Sequence, residues 1–231
     1  MTEQVFSYKY PRPAVTTDCV IFGFDGFELK VLLIERGLEP FKGQWAFPGG
    51  FVRMDETVED CALRELQEET GLNPKYIEQM RTYSDVDRDP RDRVITVAFS
   101  ALVKIEEVVG GDDAARAQWF SLDSVPRLAF DHDRILRDAT TFLKHKIHFE
   151  PIGFELLDEK FTMPQLQRLY EVILGVNFDR RNFQKKMFAT GVLIQLDEKC
   201  ENARRRPPKL YKFNLERYNE MKRKNEFKLE F

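Results

Sequence analysis

Residues 50–72 read Gly-Phe-Val-Arg-Met-Asp-Glu-Thr-Val-Glu-Asp-Cys-Ala-Leu-Arg-Glu-Leu-Gln-Glu-Glu-Thr-Gly-Leu. The spacing is Gly50, five residues, Glu56, seven residues, Arg64 to Glu69, one residue, then Gly71-Leu72. Asp55-Glu56-Thr57 supplies capping groups and early negative charge, Val58 to Thr70 contains no Pro or Gly, and Gly71 offers a left-handed stop. This predicts one helix of about three and a half turns. At roughly 100° per residue, Glu65, Glu68 and Glu69 fall in one narrow arc of its surface. Three crowded carboxylates call for a cation, and Mg²⁺ takes such oxygen ligands together with waters and phosphate oxygens. Ala62, Leu63 and Leu66 form the apolar stripe that would bury the other side.

Working outward, Phe47-Pro48-Gly49-Gly50 lets the backbone approach a metal closely, with a Gly49 carbonyl as a further ligand. Upstream, Asp18 to Phe24 and Leu29 to Glu35 are apolar, β-branched runs separated by Asp25-Gly26, the pattern of a hairpin. Trp45 to Phe47 reads as a short strand, and Tyr76 to Tyr83 and Arg93 to Ile105 as further strands. Gly110-Gly111 turns the chain toward Ala117 to Phe120, and Asp131 to Lys146 has the period of a helix. Strands on both sides of a glutamate-bearing helix, with a second helix after them, give an α/β/α sandwich on a mixed sheet.

Composition then changes. Residues 151–231 hold 17 Lys and Arg against 12 Asp and Glu, a net of +5, whereas the preceding residues hold 19 against 27, a net of −8. A basic segment on an acidic protein invites a polyanion partner, nucleic acid first. Thr162 and Gln165 form a capping box, and Leu166, Leu169, Tyr170, Ile173 and Leu174 repeat at helical spacing up to Gly175. A second helix runs from near Asp179 to Gly191, with Phe183 and Met187 on one side and Arg181, Asn182, Lys185 and Lys186 on the other. Val192 to Gln195, a loop bearing Arg204-Arg205-Arg206, and Lys209 to Phe213 complete a helix, turn, basic helix and hairpin. That order resembles a winged helix-turn-helix, in which the second helix enters the major groove and the wing follows the backbone. Arg180, Arg181, Asn182, Lys185 and Lys186 are the candidates for DNA contact on the helix, and Arg204, Arg205 and Arg206 on the wing.

The 23-residue stretch places every fixed residue of the Nudix box, the signature of hydrolases that cleave nucleoside diphosphates linked to another moiety, usually with Mg²⁺ or Mn²⁺. With the winged helix attached, the whole chain resembles the Nudix-related transcriptional regulators. Further points of likeness are Asp87-Arg88-Asp89-Pro90-Arg91-Asp92-Arg93-Val94, Leu128-Ala129-Phe130-Asp131-His132, and Arg180-Arg181-Asn182-Phe183. The expected fold is therefore α+β, a Nudix sandwich over residues 1–149 followed by a winged helix-turn-helix over 150–231. The resemblance implies an N-terminal domain that binds ADP-ribose or another sugar-containing effector, a homodimer, and double-stranded DNA as partner. It makes Arg64 a brace for the glutamates.

Many members of that group have a degraded box and no catalysis, whereas a smaller number keep the box and hydrolyse ADP-ribose to AMP and ribose 5-phosphate. Three readings follow: a hydrolase that is also a ligand-responsive regulator, a non-catalytic sensor of ADP-ribose or a sugar, and a plain hydrolase whose tail serves protein contacts. Catalysis needs a general base, which family members often take from a loop outside the box. Asp113 or Asp112 is the candidate, with Asp85 and Asp87 behind them. Arg36, Arg53, Arg88, Arg91 and Arg93 are candidates for substrate phosphates, because guanidinium forks match phosphate oxygens. Phe41 and Trp45 are candidates to stack on a base, with core packing the alternative for Trp45.

The remaining features are bland. Hydrophobic residues make up 42% of the chain, no apolar run reaches the length of a membrane span, and the start lacks a signal-peptide plan, so a cytoplasmic location is expected. Cys19, Cys61 and Cys200 are expected as free thiols. His132, His145 and His148 are too scattered for a zinc site, which leaves core or surface roles.

Overall fold

The computed structural model describes residues 7–74, 76–108, 110–111, 114–153, 155–199, 208–224 and 228–229. The expected hairpin forms from β1 (Ala14–Phe24) and β2 (Leu29–Arg36), closing at Phe24 opposite Leu29. Asp25 explains the turn: its Oδ1 accepts from the backbone N–H of both Phe27 and Glu28 at 2.9 Å, an Asx-type arrangement. On its other edge β1 runs parallel to β5 (Val94–Lys104), and β4 (Glu78–Tyr83) lies antiparallel to β5. β3 (Trp45–Ala46) and β6 (Ala114–Ser121) both pair with β2, giving a six-stranded mixed sheet ordered β3-β2-β1-β5-β4 with β6 beside β2.

Strand alternation sends the two faces of β1 to different helices. Cys19 and Ile21 pack with Ala62 and Leu66 of α1 (Val58–Thr70). Val20 and Phe22 pack with Ile135, Ala139 and Leu143 of α2 (His132–Phe149). β1 and β2 separate beyond the Phe22–Val31 pair, and the segment after β3 threads into the gap. Cys19 N–H donates to Pro48 O at 2.8 Å, Thr17 N–H to Gly50 O at 2.9 Å and Val52 N–H to Val15 O at 2.9 Å. That wedge positions the site.

The C-terminal part contains β7 (Phe161–Thr162), α3 (Met163–Leu174), α4 (Arg180–Ala189), β8 (Leu193–Lys199), β9 (Lys209–Phe213) and α5 (Leu215–Lys224), with strands ordered β7-β9-β8. Thr162 and Gln165 make the anticipated capping box, and Gly175 ends α3 in a left-handed conformation. Neither β7 nor α5 was legible as a pattern. β7 is two residues long and exists only through β9, nearly fifty residues on, while α5 buries Met221 but carries mostly polar residues.

The apolar core does not stop at the junction. The cluster under α2 continues through Ile147, Ile152, Leu156 and Leu157 into Phe161, Leu166, Tyr170 and Phe183. At about 1.5–3 kcal/mol for each large apolar side chain buried, this shared core outweighs the exposed Lys104–Asp158 ion pair across the junction, an interaction type worth about 0–1 kcal/mol. Among the described residues, no helix is long and apolar enough to cross a membrane.

Candidate functional site

α1 begins with Thr57, whose side chain accepts from Asp60 N–H while Asp60 reaches back to Thr57 N–H, and it ends at Gly71 with φ 77°. The capped helix holds Arg64 over its own glutamates. Arg64 forks onto Glu56 with Nε to Oε2 at 2.9 Å and Nη2 to Oε1 at 2.7 Å, while Nη1 reaches Glu65 Oε1 at 2.6 Å and Glu68 Oε2 at 3.0 Å. The Arg64 hydrogen bonds pull the Glu56 carboxyl down to about 2. Burial pushes Glu65 the other way, above the usual carboxylate range, and the nearby Glu68 charge adds to the rise. Glu69 is buried, and its Oε2 accepts from Gly49 N–H at 2.8 Å.

The two glycines are there because side chains would collide. A Cβ on Gly49 would lie 2.0 Å from Thr17 O, and one on Gly50 would lie 2.3 Å from Glu65 Oε1. Among the described residues no three acidic, histidine or cysteine side chains already form a metal cage. Glu65 and Glu68 instead share one guanidinium nitrogen, and Glu69 holds the glycine turn. The donor set still fits a hard divalent ion: carboxylate oxygens beside the half-buried backbone of Gly49 and Gly50, with an acid, Glu65, whose burial disfavours its charge.

The glutamates form one wall of a cleft of about 390 Å³ whose other walls come from β1, the loop after β2, the segment 88–91 and the N-terminus of α2. Arg36 and Arg91 face it together. Arg36 lies over the Phe130 ring at 4.9 Å, and Arg91 lies 5.0 Å from the Phe51 ring and 5.6 Å from Phe130. Burial first, then the like charge of Arg91, lower the Arg36 guanidinium from its ordinary value. Two converging cations of this kind suit an anion. Arg91 is oriented by Asp89, with Nε to Oδ1 at 3.0 Å and Nη2 to Oδ2 at 2.7 Å. Burial pushes Asp89 up, but Arg91 outweighs it and holds the carboxyl below its usual range. Arg53 lines the cleft mouth, 3.8 Å from Glu68.

Two of the arginines singled out from sequence are placed differently. Arg88 is buried and already committed to Asp131 and Asp18 (Nη2 to Asp131 Oδ1 2.7 Å, to Asp18 Oδ2 3.4 Å), so it organises the cleft floor. Arg93 does not line the cleft; its Nη1 donates to Asp85 O at 3.2 Å. Trp45 packs edge-on against Phe120 at 4.6 Å and Phe41 edge-on against Phe130 at 4.8 Å, and neither lines the cleft. Asp85 pairs with Arg134 and Asp87 is exposed. Asp112 and Asp113, the general-base candidates, and Arg204, Arg205 and Arg206 lie outside the described residues.

Sequence reasoning gave Asp18 no site role and His132 only a core or surface one. Both are buried, both line the cleft, and they face each other with His132 Nε2 3.3 Å from Asp18 Oδ1. Burial raises the Asp18 carboxyl, but His132 and Arg88 together outweigh it and hold it low. The available signal was Asp18 as the sole charged residue of β1, a charge that must be paired once buried.

On α4, Asp179 caps the first turn by accepting from Asn182 N–H at 2.9 Å. Phe183 and Met187 are buried, and Arg180, Arg181, Asn182 and Lys185 are exposed, with Lys186 partly so. The helix therefore presents its basic face outward, as its sequence pattern predicts.

Residues 12–139 match the NUDIX domain family, and residues 153–213 match the NrtR DNA-binding winged helix domain. The chain is 35% identical to the ADPR responsive transcriptional repressor NtrR of Acinetobacter baylyi, over 91% of this chain and 86% of that protein. It is 47% identical to an ADP-ribose pyrophosphatase of Methanocaldococcus jannaschii, over 56% of this chain and 74% of that one. Shewanella oneidensis NrtR, solved with a 27mer DNA, superposes with a TM-score of 0.76 at 33% identity, covering 89% of this chain and 95% of the other. Its NUDIX domain complexed with ADP ribose gives 0.56 at 35% identity over 58% of this chain and 90% of that one. Nudix hydrolases generally use divalent metal ions. Box, cleft, exposed basic helix and matched relatives agree: the chain belongs to the Nudix family, in the group that joins a Nudix domain to an NrtR-type winged helix.

Proposed function

We propose that this protein is an ADP-ribose-responsive transcriptional regulator whose Nudix domain also hydrolyses its effector. The observation that carries the reading is the complete box, with Arg64 bracing Glu56, Glu65 and Glu68 at hydrogen-bond distance, on a domain that shares its core with a basic winged helix. In this reading residues 1–149 bind ADP-ribose or a similar nucleoside diphosphate sugar and residues 150–231 bind double-stranded DNA. The protein acts as a cytoplasmic homodimer.

The chain's own groups divide the work. Glu65, Glu68 and Glu69 are the side chains that would hold Mg²⁺ or Mn²⁺, with the Gly49 backbone beside them. When bound, such an ion would neutralise charge on the diphosphate and make an attacking water more acidic. Arg64 keeps Glu65 and Glu68 turned to the cleft, and Gly49 N–H does so for Glu69. Arg36, Arg53 and Arg91 bind phosphate oxygens, with Phe130 and Phe51 fixing two of the guanidinium planes. Water attacks one phosphorus of the diphosphate as its proton passes to the general base, for which Asp113 or Asp112 is the candidate, the P–O–P bridge breaks, and AMP and ribose 5-phosphate leave. On α4, Arg180, Arg181, Asn182, Lys185 and Lys186 contact DNA.

Incubation of the full chain with ADP-ribose and Mg²⁺, followed by chromatography, should show AMP. A gel shift with DNA from upstream of its own operon should show binding that ADP-ribose alters. Tight ADP-ribose binding without AMP release would remove the hydrolase claim and leave a sensor, and failure to bind DNA at low salt would remove the regulator claim. A monomer by sedimentation would remove the dimer.

A further inference from the structure

The turn that carries Gly49 and Gly50 is held from the opposite side of the sheet to the glutamate helix. Phe47 donates its backbone N–H to Nδ1 of His132 at 3.0 Å, and the two rings stack with centroids 5.1 Å apart and planes 17° apart. An imidazole nitrogen that accepts a hydrogen bond carries no proton, so the neutral ring keeps its proton on Nε2. Nε2 faces Asp18 Oδ1 at 3.3 Å, and the other oxygen of Asp18 meets Arg88 Nη2 at 3.4 Å. Arg88 is forked on Asp131, the residue just before His132, with Nε to Oδ2 at 3.1 Å and Nη2 to Oδ1 at 2.7 Å. The ring is therefore fixed in orientation and in tautomer.

We propose that His132 is a positioning residue for Glu69, acting through the Phe47–Gly50 turn. From the bond at Phe47 the chain passes through Pro48, whose carbonyl is bound by Cys19 N–H at 2.8 Å, to Gly49, whose N–H reaches Glu69 Oε2 at 2.8 Å. Gly49 has no room to move toward β1, because even a Cβ there would meet Thr17 O at 2.0 Å. His132 fixes the other end of the same short span. Groups that orient ligands are held by their own hydrogen-bond partners, and loss of such a partner weakens metal affinity or activity. The proposal rests on the reading of the cleft as a metal-dependent hydrolase site, and extends it to a residue on α2, outside the glutamate helix.

The test compares the full-length wild type with His132→Phe, which keeps the ring and its stacking but removes both nitrogens, and His132→Asn, which restores an acceptor for Phe47 N–H. Long-range ¹H–¹⁵N spectra of the wild type should show His132 protonated at Nε2 alone. His132→Phe should speed hydrogen exchange at the Phe47 amide. It should also lower Mn²⁺ affinity, measured by electron paramagnetic resonance without substrate, or kcat for ADP-ribose, by roughly 10- to 100-fold with a smaller change in KM. His132→Asn should recover most of the loss. The proposal is overturned if wild type and His132→Phe match in exchange, Mn²⁺ affinity and kcat, if a folded His132→Asn is as impaired as His132→Phe, or if the proton sits on Nδ1. Should His132→Phe fail to fold, the tautomer and His132→Asn decide. Should the wild type release no AMP, the hydrolase reading falls by itself, while tautomer, exchange and Mn²⁺ affinity still decide the role of His132.

Discussion

Arg64 grips Glu56 with two parallel hydrogen bonds, Nε to Oε2 at 2.9 Å and Nη2 to Oε1 at 2.7 Å, so the box carries the clamp for its own arginine eight residues upstream. This frees Nη1 to hold Glu65 and Glu68. The bidentate geometry belongs to arginine alone. Arg64→Lys should keep the charge, lose the fork, and lower kcat for ADP-ribose by roughly 10- to 100-fold while the fold persists. Steady-state kinetics beside circular dichroism check this, and unchanged kcat would contradict it.

The same pair predicts a pH dependence. Glu56 is held at about 2 in the folded protein against an ordinary 4.5. A carboxyl depressed by folding contributes stability that is complete above its unfolded value and lost as pH falls through its folded one. The contribution is thus intact above about 4.5 and disappears toward 2. Glu56→Gln should be less stable than wild type at pH 7, and the gap in urea midpoint should narrow steadily from pH 5 to pH 3. A gap that stays constant would refute the assignment.

Gly49 and Gly50 should respond differently to alanine. At Gly49 the new Cβ meets backbone, Thr17 O at 2.0 Å, which cannot rotate away; at Gly50 it meets the Glu65 carboxylate, which can. Gly49→Ala should cost about 1–3 kcal/mol of stability, read from chemical denaturation. Gly50→Ala should cost less stability but displace Glu65 and weaken Mn²⁺ binding. Equal effects on both readouts would sink the distinction.

For DNA, Arg181 and Lys185 are exposed while Phe183 and Met187 anchor α4 from below. The double change to alanine should weaken DNA binding and reduce the slope of log affinity against log salt by roughly 1 for each phosphate that is no longer neutralised. ADP-ribose hydrolysis should be unaffected, since neither residue lines the cleft. An unchanged slope would show that α4 does not face DNA.

The continuous core under α2 predicts one cooperative unfolding event. Ile147, fully buried at the junction, should cost about 2–5 kcal/mol when changed to alanine. It should lower the melting of sheet and winged helix together. Two separable transitions in calorimetry would contradict the shared core.

Local codes in the sequence carried much of this molecule. The α1 helix runs Val58–Thr70 as expected, because Thr57, the absence of Pro and Gly inside it, and Gly71 act within a turn or two of the backbone. The hairpin at Asp25-Gly26, the Thr162–Gln165 capping box and the buried face of α4 were legible for the same reason. Arg88 shows the limit. Its residue type suggested a phosphate ligand, yet Asp18 lies 70 residues before it and Asp131 43 after it, and no local pattern reveals that they meet.

By itself, then, the sequence determined which of the longer segments become helix or strand, β7 and α5 apart, which helix carries the carboxylates, and that a basic module follows an acidic domain. These depend on short-range periodicity, capping and composition. Only the tertiary structure decided which arginines face the cleft and which are consumed as struts, that a buried histidine on α2 holds the glycine turn, and that the two halves share one core. Those outcomes depend on where the mixed sheet brings residues that are distant along the chain, and burial then compels each charged or polar group to find a partner among whatever the fold has placed beside it.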